Sequence, residues 1–257
     1  MQDRVILITG ATSGIGRATA LHCAGLGARV VATARSEERG QVLIEAIEAA
    51  GGEAIFVAAD VRSDADVKAM VDAALSTYDR LDYAFNNAGT FGPEPAWHEY
   101  DDAHWDEVIS INLTGVYRCM KYELDAMRTG SAADSRPRAI VNNASTVGHR
   151  GSGQSGPAYT AAKHGVIGLT RQAAIAYVKD NIRVNAVSPG PTLTEATAPL
   201  LERPADEVAA LLAALNPTGQ LVPVEEIART VAFLCSDAAS MINGHSIPID
   251  GGQLALL

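Results

Sequence analysis

The chain has 257 residues, 30 acidic against 20 basic side chains and a net charge of −10, and no run of Lys or Arg exceeds a pair. That balance argues against a nucleic-acid or anionic-membrane surface, whose phosphates call for clustered cations. Hydrophobic residues make up 47% of the chain but aromatics only 5%, and 45 residues are alanines, so helix packed closely on sheet is expected rather than an aromatic core.

In chain order, short β-branched runs alternate with longer helical patterns. The strands are expected at 5–9, 29–33, 54–59, 83–86, 139–143, 183–187 and 246–249. The connections hold crossover helices, some with readable starts: Ser63 with Asp66 three residues on, and Pro223 followed by Glu225 and Glu226. This alternation predicts a Rossmann-type α/β fold, a doubly wound sheet of seven mainly parallel strands with helices on both faces, in one domain over 1–257. Two stretches break the rhythm. Residues 129–138 read as a polar surface loop, and 189–216 begin as a Pro- and Thr-rich loop before turning amphipathic with Val208, Leu211, Leu212 and Leu215 on one face. A long excursion of this kind beyond a strand end, about 190–217, suits a substrate lid.

The first residues lack a basic segment, apolar stretch and small-residue cleavage site, and no apolar run approaches a membrane span, so a cytoplasmic protein is expected. Cys23, Cys119 and Cys235 are odd in number and unpaired in spacing, which predicts free thiols and no metal site. The six histidines show no ligand spacing. His149 and Arg150 follow Ser145 closely enough to offer a reach to substrate, and Trp97 is either packed under a loop or at the pocket border.

After the first strand comes Thr9-Gly10-Ala11-Thr12-Ser13-Gly14-Ile15-Gly16, opening a helix. Glycines there let the backbone turn sharply and approach a pyrophosphate, whose charge sits on the free amides of the helix N-terminus. A plain tight turn is the alternative. At the end of the second strand, where an acidic residue would hold a ribose diol, stand Ala34, Arg35 and Ser36. An Arg–phosphate contact is worth roughly 1.5–3 kcal/mol, or about 10- to 150-fold in affinity. NADP(H) is therefore expected to be favoured. If Arg35 is only a solvated loop charge, NAD(H) is accepted too.

Tyr159 and Lys163 are four apart in a helix expected over 157–177, on one face. At about 5 Å and an effective dielectric of about 20, the ammonium favours the phenolate by roughly 3 kcal/mol, or about two pKa units. Ser145 follows the strand at 139–143, at the carboxyl edge of the sheet where ligands bind in open α/β folds. Asn86-Asn87-Ala88-Gly89 ends the strand before it.

The glycine pattern, Asn-Asn-Ala-Gly, the serine and Tyr-x-x-x-Lys occur in the order of the classical short-chain dehydrogenase/reductase family, which the chain resembles over essentially its whole length. The resemblance implies Tyr159 as general acid/base, Lys163 as ribose ligand and modulator of the tyrosine, and Ser145 as the hydrogen-bond donor to the substrate oxygen. It implies Asn112, in a helix, as holder of a proton-relay water. Asp60 and Val61, with Asn87, Ala88 and Gly89, would line the adenine pocket, and Pro189, Gly190, Thr192 and Thr194 would meet the nicotinamide amide and pyrophosphate. Departures are a single serine at Ala144-Ser145, a 14-residue gap from Ser145 to Tyr159 through a Gly-rich loop, and Thr192 where an aliphatic residue is usual. The implied activity is hydride transfer between NAD(P) and a secondary alcohol or ketone, with homotetramer or homodimer assembly through the helices near 104–127 and 157–177. A non-catalytic dinucleotide-binding regulator and an imine or enone reductase or dehydratase on the same scaffold are the alternatives.

Overall fold

A computed structural model describes residues 1–93, 96–131, 136–153, 155–195 and 197–256. Seven strands form one sheet: β1 (Val5–Thr9), β2 (Arg29–Ala34), β3 (Glu53–Ala58), β4 (Tyr83–Asn86), β5 (Arg138–Asn143), β6 (Ile182–Pro189) and, last in the sheet, Ser246–Ile249. The order is β3-β2-β1-β4-β5-β6 followed by Ser246–Ile249, and every pairing is parallel. The expected "mainly parallel" sheet is thus parallel throughout. The direction of winding reverses between β1 and β4, which opens a crevice at their carboxyl ends.

Strand β1 is wholly buried, and its side chains alternate between two cores. Val5 and Leu7 join the core made with α3 (Asp64–Tyr78), α5 (Val116–Ser131) and α6 (Pro157–Ala176). Ile6 and Ile8 join the opposite core, made with α1 (Gly14–Gly25), α2 (Glu37–Ala49) and α8 (Val224–Cys235). A period of two in a continuous apolar run is what a strand covered on both faces requires. The alanines act as expected in the second core, where Ala20 and Ala24 of α1 share a cluster with Val231 and Ala232 of α8. Cys23, Cys119 and Cys235 are free and buried, and burial raises all three thiols.

Ser63 caps α3 as expected: its hydroxyl accepts from the Asp66 N–H at 3.2 Å and donates to the Asp66 carboxylate at 2.8 Å. The helix before β5 is less regular than the sequence suggests, since α4 (Asp102–Ile109) runs through a π-helical stretch at Ser110–Gly115 into α5. The loop expected at 129–138 is partly helix, because α5 continues to Ser131; residues 132–135 lie outside those described. The amphipathic segment forms α7 (Ala205–Leu215), its four apolar positions half-buried. Two short strands absent from the sequence reading, β7 (Thr192–Leu193) and β8 (Val222–Pro223), pair in parallel and tie the two ends of this excursion together. No helix of the described residues is long and apolar enough to cross a membrane.

Candidate active site

β1 ends at Thr9, whose hydroxyl accepts from the backbone N–H groups of Asn87 at 2.9 Å and Ala88 at 3.0 Å. The Asn87 amide donates to the carbonyls of Thr9 and Gly10, and its oxygen accepts from Asn143 at 2.9 Å. The glycine turn is thereby locked to the ends of β4 and β5. Gly10 has φ +63°, and a Cβ on Gly16 would lie 2.2 Å from the Gly10 carbonyl oxygen, so side chains are excluded where the backbone closes on itself. The first turn of α1 carries no acidic residue. A cradle of bare backbone at a helix N-terminus fits a dinucleotide pyrophosphate. The Gly14 N–H donates at 3.0 Å to the carboxylate of Glu195, so an anion's position is already marked by an anionic group.

The catalytic candidates converge from separate elements. Ser145 follows β5, is nearly buried and caps the short turn at Thr146–Gly148. Tyr159 and Lys163 share one face of α6, with the Lys163 ammonium 5.4 Å from the Tyr159 ring centre. Ser145 lies close enough to Tyr159 to favour its phenolate. Lys163 is buried and donates to the Asn143 carbonyl at 2.6 Å. Asn112 lies in the π-helical stretch, fully buried, and donates to the carbonyls of Thr90 at 2.8 Å and Val108 at 3.0 Å while accepting from the Thr90 N–H. This local widening of a helix around an asparagine is the kind of irregularity found at functional positions.

The electrostatics depart from the simple pairwise expectation. Burial pushes Tyr159 up to about 12, against a lowering by the Ser145 hydroxyl, and burial pulls Lys163 down to about 8. Desolvation of the phenolate is the larger effect, so the tyrosine sits above its ordinary value instead of below it.

One cavity of about 890 Å³ joins the glycine turn to this cluster. Its lining includes Gly10, Thr12, Ser13, Gly14, Ile15, Asn87, Ala88, Gly89, Asn112, Ser145, Tyr159, Lys163, Pro189, Gly190, Thr192 and Thr194. Gly16 sits behind the turn. Arg35, Ser36, Asp60 and Val61 do not line it. Ser36 is engaged as the cap of α2, accepting from the Arg39 N–H, and Arg35 is exposed. Asp60 is bound to Arg62 at 2.6 Å, which holds its carboxyl below the usual range, and Val61 is buried in the core. Instead, Arg17, Glu38, Arg39 and Val42 line the end beyond the glycine turn. No motif pointed to them: Arg17 comes from the first turn of α1, and Glu38, Arg39 and Val42 come from the start of α2. His149 is turned away from the cavity, bonded to the hydroxyls of Ser188 and Ser246 at 3.0 and 3.2 Å. Trp97 is neither packed under a loop nor in the cavity lining; it is 79% exposed. Phe91, Asn143, Glu195 and Gln253 line the cavity and escaped the sequence reading, since none was singled out by a motif and only the fold brings them together. No metal-ligating cluster occurs among the described residues.

A Rossmann-type sheet carrying a phosphate cradle and a Ser–Tyr–Lys cluster in one cavity defines a nicotinamide-dependent oxidoreductase, and comparison with known proteins agrees. A family model described as Enoyl-(Acyl carrier protein) reductase matches residues 10–253. The chain is 44% identical over 254 residues to cis-4-hydroxycyclohexanecarboxylate dehydrogenase of Sinomonas cyclohexanicum, covering 99% of this chain and 98% of that one. Among solved structures, levodione reductase superposes with a TM-score of 0.92 at 38% identity over all of both chains. A point variant of actinorhodin polyketide ketoreductase with NADPH superposes with a TM-score of 0.89 at 35% identity over 97% of each. The chain belongs to the short-chain dehydrogenase/reductase family, whose enzymes act on hydroxyl and carbonyl groups.

Proposed function

We propose that the protein interconverts a ketone and a secondary alcohol with a nicotinamide dinucleotide, NADP(H) being preferred over NAD(H). The observation that carries this reading is the cavity in which Ser145, Tyr159 and Lys163 meet the glycine cradle. The bound cofactor supplies or accepts a hydride at the nicotinamide ring. Ser145 donates to the substrate oxygen and stabilises charge there. Tyr159 gives that oxygen its proton, and a tyrosine held neutral at pH 7 is in the form a general acid requires for reduction. The reverse reaction needs the phenolate, which the Ser145 hydroxyl and the Lys163 ammonium both favour. Asn112 holds the Thr90 backbone against the cavity and carries the relay role that the family pattern gives it.

The preference for NADP(H) is supported by three guanidinium groups near the far end, Arg17 and Arg39 in the lining and Arg35 exposed at the end of β2. In this reading residues 1–257 work as one cytoplasmic domain, 190–217 form the lid, Asp60 and Val61 flank the adenine side, and copies assemble as a homotetramer or homodimer through the long helices. Tyr159→Phe tests the mechanism: turnover of ketones followed at 340 nm is expected to fall about 10²- to 10⁴-fold with cofactor binding retained. Near-normal turnover would remove the mechanism. Recovery of a saturated ketone from an enone, with no alcohol formed, would favour the enone-reductase alternative.

A further inference from the structure

The cavity wall beside Tyr159 is aromatic. Phe91, just after the Asn-Asn-Ala-Gly segment, places its ring 5.2 Å from the Tyr159 ring at an angle of 41°. It lines the cavity yet remains 57% exposed. An aromatic face left open beside a reacting hydroxyl is a surface that a substrate covers. Val147 and Leu215 add aliphatic surface to the lining, and Ser152 and Ser155 supply hydroxyls.

The charges in the lining are placed elsewhere. Among the described residues, its cations are Arg17 and Arg39, at the far end, and Lys163, whose ammonium is engaged by the Asn143 carbonyl. Glu94, Pro95, Gln154 and Ala196, outside the described residues, carry no positive charge. A carboxylate on the substrate ring would lose its hydration without gaining a cation, which is costly.

We propose that Phe91 makes the protein selective for uncharged alicyclic ketones and secondary alcohols, by packing its ring face on the substrate ring while the carbonyl oxygen meets Ser145 and Tyr159. The inference rests on the ketone–alcohol reading above and narrows it. A saturated ring presents C–H groups on both sides of the carbonyl at fixed spacing to the corner formed by the two aromatic rings. An open chain of the same carbon number must lose internal rotations to do so. Selectivity therefore departs from that of the relative named for a hydroxycyclohexanecarboxylate, despite 44% identity.

The test compares kcat/KM for cyclohexanone, hexan-2-one and 4-oxocyclohexanecarboxylate with NADPH and with NADH, in the wild type, Phe91→Ala and Phe91→Tyr, with thermal unfolding as the check on folding. Cyclohexanone is expected to exceed hexan-2-one by about 10-fold or more, and the carboxylate to trail cyclohexanone by about 100-fold. Phe91→Ala should collapse the ring-to-chain ratio, chiefly through KM, and Phe91→Tyr should retain it. Equal use of ring and chain by the wild type, a ratio unchanged in Phe91→Ala, or reduction of the carboxylate as fast as cyclohexanone would overturn the inference and leave the ketone–alcohol reading standing. Absence of turnover of all three ketones with NADPH and NADH, and of the matching alcohols with NADP and NAD, would overturn that reading and the inference with it.

Discussion

Glu123 of α5 is a carboxyl with no access to solvent, and replacing it by glutamine tests how the floor of the site is held. Its carboxyl accepts from the Asn86 amide at 3.0 Å, the same amide donates to Asn142, and Asn142 donates to the Thr170 hydroxyl at 2.9 Å. These residues lie directly below Asn87 and Asn143, which clamp the glycine turn and receive Lys163. With a single neutral donor, the carboxylate is poorly compensated, and burial raises Glu123 from 4.5 to about 8. The unfolded chain loses this proton near 4.5 and the folded chain keeps it to about 8. Stability therefore falls as pH rises through that window, by about 1.4 kcal/mol per pH unit and up to about 4–5 kcal/mol in all. Glu123→Gln cannot ionise, so this pH dependence disappears. Near pH 5 the two proteins should melt within a few degrees of each other, and the advantage of the variant should grow by about 3 °C per pH unit toward pH 8, at about 2 °C per kcal/mol for a chain of this size. Thermal unfolding of both proteins in matched buffers from pH 5 to 9 measures the difference, in which all other titrations cancel. A difference in Tm that stays flat across the window would refute the buried neutral acid.

Three further outcomes follow from the site. Glu195→Gln removes the carboxylate that accepts from the Gly14 N–H, the amide a pyrophosphate needs, and should tighten NADPH binding by about 2- to 5-fold in fluorescence titration; weaker binding would show that Glu195 assists the cofactor rather than competing with it. Arg17→Ala, Arg39→Ala and Arg35→Ala separate the two residues in the lining from the one at the strand end: the NADPH-to-NADH ratio of kcat/KM should fall about 10-fold or more in the variant that loses the 2′-phosphate contact, and a ratio unchanged in all three would remove the NADP(H) preference. Lys163 loses its proton as pH rises through about 8, so kcat/KM for ketone reduction should hold below that value and decline above it as the cationic form disappears; a profile flat to pH 10 would show that the ammonium is retained.

The division of labour between sequence and fold is visible in particular residues. Periodicity alone located the sheet because its strands are buried on both faces, and a run such as Val5-Ile6-Leu7-Ile8 has no other stable use ahead of a glycine turn. That Ser145, Tyr159 and Lys163 meet in one cavity was legible, because the latter two are fixed by helical spacing and Ser145 by its place after a strand. The pairing of β7 with β8, the widening of the helix at Asn112 and the exposure of Trp97 were not, since each depends on partners distant in sequence. Nor did spacing give the direction of the tyrosine's shift: two side chains four apart imply a lowering, but the packed surroundings raise Tyr159 through desolvation. Arg35 is the same lesson at the other end. The sequence places a cation at the end of β2, while the tertiary structure brings Arg39 of α2 into the cavity lining beside Arg17 of α1, because a helix face, not chain order, determines which side chains line the cavity. The residues that meet at the glycine turn and at Ser145 were thus written in local motifs, and the rest of the cavity lining in contacts that exist only once the chain has folded.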